Sequence, residues 1–386
     1  MFLKQMMKEN PQLIDAAFAL HQEGKILPDT YVIDVDAFLK NAEKIIQKAK
    51  ERGFKMYFML KQVGRNPWLA KELIKLGYDG AVVVDFKEAQ VMMEHHIPIG
   101  NVGHLVQIPG SMVKKVVEAE PEMITVYSKE KIRQIEQAAA ELDKIQGIML
   151  RVFDDADMIY SGQTAGFHLK ELEDIVRWMG ETCPHLVIKG ITSFPCYLYD
   201  AGKDDVFPTA NLGTVKKAWE MVHAMGIQNV LINTPSATCC HTIDKMVEYG
   251  GNCGEPGHGL SGTTPMHASH VMEEIPAVVY VSEISHNFDG DAYCFGGGHY
   301  RRSHVENALI GREPSTSQWR KVVPPSDESI DYHFGIQGVC PVGDTVVMAF
   351  RFQIFVTRSD VALVRGIHSG HMELVGIYDS QGRKKA

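Results

Sequence analysis

Eight short apolar runs alternate with amphipathic stretches between Lys55 and Glu255, and this alternation limits the fold more than any other feature. The runs are Lys55–Leu60, Ala81–Val84, Val102–Val106, Met123–Tyr127, Gly147–Val152, Leu186–Thr192, Val230–Ile232 and, more weakly, Asn252–Glu255. Each is too short for a helix and reads as a buried strand. Between them, Trp68–Leu76, Phe86–His95, Met112–Ala119, Lys129–Leu142, Leu169–Met179, Leu212–Met225 and Ile243–Tyr249 carry apolar residues at helical spacing. Strands that alternate with helices over roughly two hundred residues predict an α/β fold, a parallel (β/α)8 barrel. A doubly wound open sheet would place a GxGxxG turn after its first strand, and none is present.

Beyond Pro276 the texture changes. Ala277–Ile284, Val346–Val356 and Val361–Ile367 are rich in β-branched and aromatic residues, with turn signals at Asp289-Gly290 and Gly343-Asp344. These predict a second, mostly β domain. Tyr31–Val35 reads as a strand that joins it, and Met1–Gly24 as an amphipathic lead-in helix. The expected layout is residues 1–36 for the lead-in, 37–270 for the barrel and 271–386 for the β-domain. At 386 residues the chain exceeds one comfortable core, which agrees with two domains.

A net charge of −9 argues against non-specific binding to nucleic acid. No apolar run approaches a membrane span, and the N-terminus has no signal-peptide core. The seven scattered cysteines include no CxxC pair, which fits a reducing compartment, so a cytoplasmic protein is expected.

In a barrel of this kind the chemistry sits where the strands end. Those lips carry Lys61, Asp85, His104, Arg151, Ser193, Asn233 with Ser236, and Glu255. A lysine after the apolar run Met56–Leu60 either snorkels to water or is put to chemical use. Desolvation lowers an amine's pKa, which suits imine formation with an aldehyde. Asn233-Thr-Pro-Ser236-Ala-Thr238 offers hydroxyls and N–H groups at a helix start, where a phosphate dianion is stabilised. Gly254-Glu255-Pro-Gly257-His258-Gly follows the eighth strand and lets backbone approach a ligand closely. Each loop alone is explained by a turn and a helix cap.

With these residues the chain resembles the fold-type III pyridoxal phosphate (PLP) enzymes, the group of alanine racemase and the ornithine and diaminopimelate decarboxylases. Val32-Ile-Asp34-Val-Asp36 is similar to the opening of the racemases, and Glu255-Pro-Gly257-His258 to the decarboxylases' Glu-Pro-Gly-Arg. Gly64-Arg-Asn-Pro-Trp68 and Thr357-Arg-Ser-Asp360 resemble the YhfX-type branch most closely.

The resemblance implies PLP as cofactor, with Lys61 as its Schiff-base lysine and as one acid/base. Ser236, Thr238, Gly257 and His258 would hold the phosphate, beside Asn233, and Glu255 would pair with the pyridine nitrogen. Ser193 stands where racemases carry a histidine beside the ring, and Arg151 corresponds to a cofactor-lining region. Its alternative is an ion pair with Asp154 or Asp155. Racemases take their second acid/base, a tyrosine, from the partner subunit, so a homodimer is implied. Tyr293 is the candidate here, with Tyr300 and Cys294 behind it. The implied activity is a PLP-dependent amino-acid racemase or epimerase. Decarboxylation or another lyase reaction, favoured by Glu255, and a non-catalytic PLP-binding role are the alternatives. His286, His299, His304 and Cys340 lack the tight spacing of metal ligands, so no metal is expected.

Overall fold

The structure, a computed structural model, describes Met1–Lys385 and divides into two compact units. One comprises Met1–Lys44, Lys61–Asn66 and His258–Ala386, the other Ile45–Leu60 and Pro67–Gly257. The chain opens with helices α1 (Phe2–Glu9) and α2 (Pro11–Gln22), strand β1 (Thr30–Asp34) and helix α3 (Val35–Glu51). The single lead-in helix expected from periodicity is thus broken in two. Pro11 cannot donate to the preceding turn, and buried Asn10 instead donates to Asp34 Oδ2 and the Pro276 carbonyl, each at 3.0 Å.

The second unit is the parallel barrel. Its strands are β2 (Lys55–Met56), β3 (Ala81–Val83), β4 (Ile99–Val102), β5 (Met123–Val126) and β6 (Gln146–Phe153), to which the short β7 (Phe167–His168) is paired. After β8 (Leu186–Thr192), a hairpin of β9 (Tyr197–Asp200) and β10 (Asp205–Pro208) precedes β11 (Leu231–Asn233) and β12 (Cys253–Gly254). The sheet order β2-β12-β11-β8-β6-β5-β4-β3 closes on itself through a parallel bridge between Phe58 and Ala81. Helices α4 (Pro67–Leu76), α5 (Phe86–Glu94), α6 (Val113–Glu118), α7 (Lys129–Glu141), α8 (Leu172–Thr182), α9 (Ala210–Ala224) and α10 (Cys240–Glu248) connect the strands. Local chemistry starts them: Asp85 accepts from the Glu88 N–H and Ser128 from the Lys131 N–H. Strand β4 lies earlier than the run Val102–Val106. Gly103, at φ +87°, turns the chain out of the sheet there.

The first unit is built on a nine-stranded sheet of order β14-β17-β16-β15-β18-β13-β1-β19-β20. Its strands are β13 (Val278–Phe288), β14 (Asp291–Phe295), β15 (Asn307–Gly311), β16 (Gln318–Val323), β17 (His333–Ile336), β18 (Thr345–Met348), β19 (Asp360–Arg365) and β20 (Glu373–Asp379). Strand β1 joins this sheet as expected, antiparallel to β13 and parallel to β19. Helices α1 and α2 cover it through Leu3, Met6, Leu13, Ile14 and Phe18, which pack with Val32, Val279, Val281 and Val347. Strand β18 stops at Met348, short of the predicted Val356. Phe350 and Phe352 leave the ladder to meet the ring of Tyr31, at centroid distances of 6.2 and 5.5 Å. The segment Lys61–Asn66 is fixed in this unit by Arg65, which donates to Gln381 Oε1 at 2.7 Å and lies over the Phe355 ring.

Candidate active site at the barrel lip

Strand adjacency brings Glu255 and Asn233 together. Strand β11 pairs with β12 at Asn233–Cys253 and with β8 at Asn233–Thr192, so the lips of three strands meet. Asn233 donates from Nδ2 to Glu255 Oε1 at 2.7 Å and, more weakly, to Thr192 Oγ1 at 3.4 Å. The Glu255 N–H donates to Thr238 Oγ1 at 3.4 Å. Both Glu255 and Asn233 are buried, so the carboxylate has one imposed orientation.

The loop from Thr234 to Cys239 joins β11 to α10. Ala237 has φ +60°, and the N–H groups of Ser236, Ala237 and Thr238 make no backbone hydrogen bond among the described residues. Successive unpaired N–H groups about a left-handed residue form a concavity suited to an anion, here at the start of a helix. The Ser236 hydroxyl is already committed, donating to the Tyr197 carbonyl at 2.6 Å. Asp205 of β10 ties down the same helix, accepting from His241 at 2.8 Å and from Lys245.

Lys61 follows β2 and opens the short turn Lys61–Val63. Two residues earlier the Met59 N–H donates to the Pro256 carbonyl at 3.0 Å, so the segments leading to Lys61 and His258 run side by side. The His258 pKa lies well below the usual histidine range, through burial first and then the positive charges of Arg351 and Lys61. Its Nε2 faces donors on Arg351, at 3.4 Å, and Gln353, at 3.2 Å, while Nδ1 meets Thr263 Oγ1 at 2.9 Å. The imidazole is therefore neutral, with its proton on Nδ1. A phosphate would find the N–H groups of Gly257 and His258, which make no backbone hydrogen bond among the described residues, rather than a cation.

Arg151 is buried and donates to two carbonyls, His104 at 3.3 Å and Gln163 at 2.9 Å, with its guanidinium 5.3 Å from the Tyr127 ring. It does not pair with Asp154 or Asp155. Those two carboxylates flank His168, and one ligand atom from each of the three lies within 4.8 Å of the others. Ser193, also buried, accepts from Asn211 Nδ2 at 3.0 Å.

In the β-unit, Tyr293 lies mid-strand on β14, its ring stacked on His286 at 5.0 Å. Cys294 is fully buried, and burial pushes its thiol pKa up to about 12, which leaves it neither nucleophile nor base at neutral pH. Tyr300 belongs instead to the loop after β14. Asp331 accepts the N–H groups of Gly297, at 3.2 Å, and His299, at 3.1 Å, and holds Arg358 at 2.9 Å.

Asn211, Thr263, Arg351, Gln353 and Asp331 carry no motif that marks them. Each acquires its role through a contact between segments distant in sequence.

A model of the alanine racemase N-terminal domain matches residues 33–265, and one of the YhfX-like C-terminal domain matches residues 279–374. The Escherichia coli K12 protein YhfX is 45% identical over 387 residues, with 99% of each chain covered. Alanine racemase of Clostridium difficile 630 in complex with cycloserine superposes with a TM-score of 0.65 at 17% identity, over 92% of this chain and 99% of that one. Diaminopimelate decarboxylase from Helicobacter pylori complexed with L-lysine gives 0.60 at 14%, over 92% and 94%. At such identities the two structures speak for the fold. The chain belongs to the family that joins an alanine racemase N-terminal domain to a YhfX-like C-terminal domain.

Proposed function

We propose that the protein is a PLP-dependent enzyme acting at Cα of an amino acid, with amino-acid racemisation or epimerisation as its reaction. Proteins of the alanine racemase fold use PLP, and the residues here fit that group. Buried Asn233 Oδ1 has no hydrogen-bond partner among the described residues, and the loop amides Ser236–Thr238 form an anion concavity close by in sequence. The observation that carries the proposal is Glu255, a buried carboxylate oriented by Asn233 at 2.7 Å.

When bound, PLP supplies an electron-withdrawing ring that stabilises negative charge at the substrate's Cα. Glu255 would keep a proton on the ring nitrogen, since an adjacent carboxylate favours the protonated base. Asn233 orients that carboxylate, and the amides of Ser236, Ala237, Thr238, Gly257 and His258 would bind the phosphate. Lys61 would hold the cofactor covalently and move the α-proton on one side. A second group must serve the other side. Tyr300, on a loop, suits that role better than Tyr293, which is stacked mid-strand.

Decarboxylation is the second reading, and Glu255 favours it. A cation at this place would leave the ring nitrogen neutral, whereas a carboxylate strengthens the electron sink that loss of CO₂ exploits. One experiment separates the two. Purified protein loaded with PLP is incubated with each amino acid in deuterium oxide, and Cα deuteration, stereochemistry and CO₂ are followed. Deuterated, racemised substrate without CO₂ supports the first reading, and CO₂ release the second. If no amino acid reacts although PLP is bound, the protein is a PLP carrier.

A further inference from the structure

Ser193 and Asn211 form a buried pair that the proposed chemistry has not used. Asn211, at the start of α9, has no exposed surface, and all of its amide is engaged. Its Oδ1 accepts from the Met158 N–H at 3.1 Å and from Thr209 Oγ1 at 3.2 Å. Its Nδ2 donates to the Met158 carbonyl and to Ser193 Oγ, each at 3.0 Å.

The paired backbone groups of Met158 remove the usual ambiguity of an amide. Nδ2 must face the carbonyl and Oδ1 the N–H, so Asn211 can only donate to Ser193. The Ser193 oxygen therefore accepts, and its own hydrogen must go elsewhere; no acceptor for it occurs among the described residues. Ser193 directly follows β8, beside Thr192, which receives the Asn233 that orients Glu255.

Met158 lies in the long loop 154–166 that leaves β6. Besides the Asn211 clamp, that loop is held by Asp157, which accepts from Thr214 Oγ1 at 2.8 Å, and by the Gln163 carbonyl on Arg151. Tyr160 of the same loop packs its ring 5.7 Å from that of Phe194, the residue after Ser193. One asparagine thus sets the polarity of a lip hydroxyl and ties down the loop over it.

We propose that Asn211 is a positioning residue that makes Ser193 a hydrogen-bond donor to the cofactor and fastens the loop 154–166 at Met158. The inference rests on the PLP reading, but its loop half needs no cofactor. The tests are PLP titration of the purified apoprotein, followed by visible absorption, and chymotrypsin cleavage at Tyr160 without PLP.

Loss of one hydrogen bond predicts about fivefold weaker PLP binding for Ser193→Ala, with a displaced absorption maximum. Ser193→Thr keeps the hydroxyl and should stay near the parent. Asn211→Asp can still accept from Met158 but cannot donate to Ser193, and would draw the serine hydrogen onto itself. It should therefore copy the spectrum of Ser193→Ala while remaining folded. Asn211→Ala should be cut at Tyr160 about tenfold faster than the parent, and Ser193→Ala should not.

An Asn211→Asp spectrum like the parent's beside a displaced Ser193→Ala spectrum would overturn the coupling. Parent-like PLP binding in Ser193→Ala would overturn the donor role, and an unchanged cleavage rate in Asn211→Ala the tether. Absence of PLP binding by the parent would instead refute the PLP reading, and the donor role with it.

Discussion

At the scale of single residues, the site is governed by which atoms are left able to donate or accept. Glu255 has its orientation imposed by Asn233 at 2.7 Å, so an uncharged isostere should keep the shape and lose the charge. Glu255→Gln is expected to bind PLP and to lose roughly 10²-fold in turnover, on the order of one charge-stabilising contact. Turnover equal to the parent's would remove Glu255 from the chemistry. The placement of Lys61 and Glu255 just after β2 and β12 was legible in the sequence, because each follows a short apolar run. Asn233's grip on Glu255 was not, since it depends on strand order rather than spacing. The neutrality of His258 was equally hidden, for it comes from burial first and then from Arg351, nearly a hundred positions away.

Asp29 makes the stability of the fold depend on pH. Burial, opposed by hydrogen bonds from Ser359 and Tyr280, raises its pKa from 3.8 to about 6. The folded state then binds more protons than the unfolded state between those values, so stability falls as pH rises through about 4 to about 6, by at most about 3 kcal/mol. Asp29→Asn keeps an acceptor and avoids the buried charge. Its Tm should match the parent's below pH about 4 and exceed it above pH about 6, in thermal melts across that range. A difference that does not vary with pH would contradict this.

At the scale of elements, the loop Gly296–Arg302 shows how a flexible sequence is made rigid. A Cβ at Gly297 would lie 1.9 Å from Asp29 Oδ2, and one at Gly298 would lie 2.3 Å from the Tyr280 ring. These two glycines are thus the residues that fit a tight cage, not a hinge. Gly297→Ala should destabilise the protein by about 1–3 kcal/mol, read from urea unfolding, because the carboxylate must move. A change below a few tenths of a kcal/mol would mean that the cage gives way freely. The strand–helix alternation, by contrast, was plain in the sequence: Leu186–Thr192 emerges with the predicted bounds. Errors arose where glycine or aromatic packing overrode the apolar pattern, at Gly103 and at Phe350–Phe352.

At the scale of the whole molecule, the β-unit exposes Phe295, Val323, Ile330 and Tyr332 around β14, β16 and β17. Apolar groups gathered on one sheet are commonly covered by a partner, and a dimer is the simplest one. Sedimentation should give twice the chain mass. Mixing Lys61→Ala with Tyr300→Phe should recover activity that neither has alone, if a partner's Tyr300 completes the site. A monomer, or inert mixtures, would confine the chemistry to one chain. The change of texture near Pro276 falls within the first unit, whose last stretch already begins at His258. That Lys61–Asn66 groups with the β-unit was not visible in the sequence, because Arg65 finds Gln381 and Phe355 only in three dimensions.

That Lys61 carries the cofactor is the step on which the proposed chemistry depends. It is tested by incubating the protein with PLP, reducing with borohydride and mapping the digest by mass spectrometry. One pyridoxyl group is expected, on the peptide containing Lys61, and none on Lys61→Ala. Labelling spread over surface lysines, or confined to another residue, would contradict it.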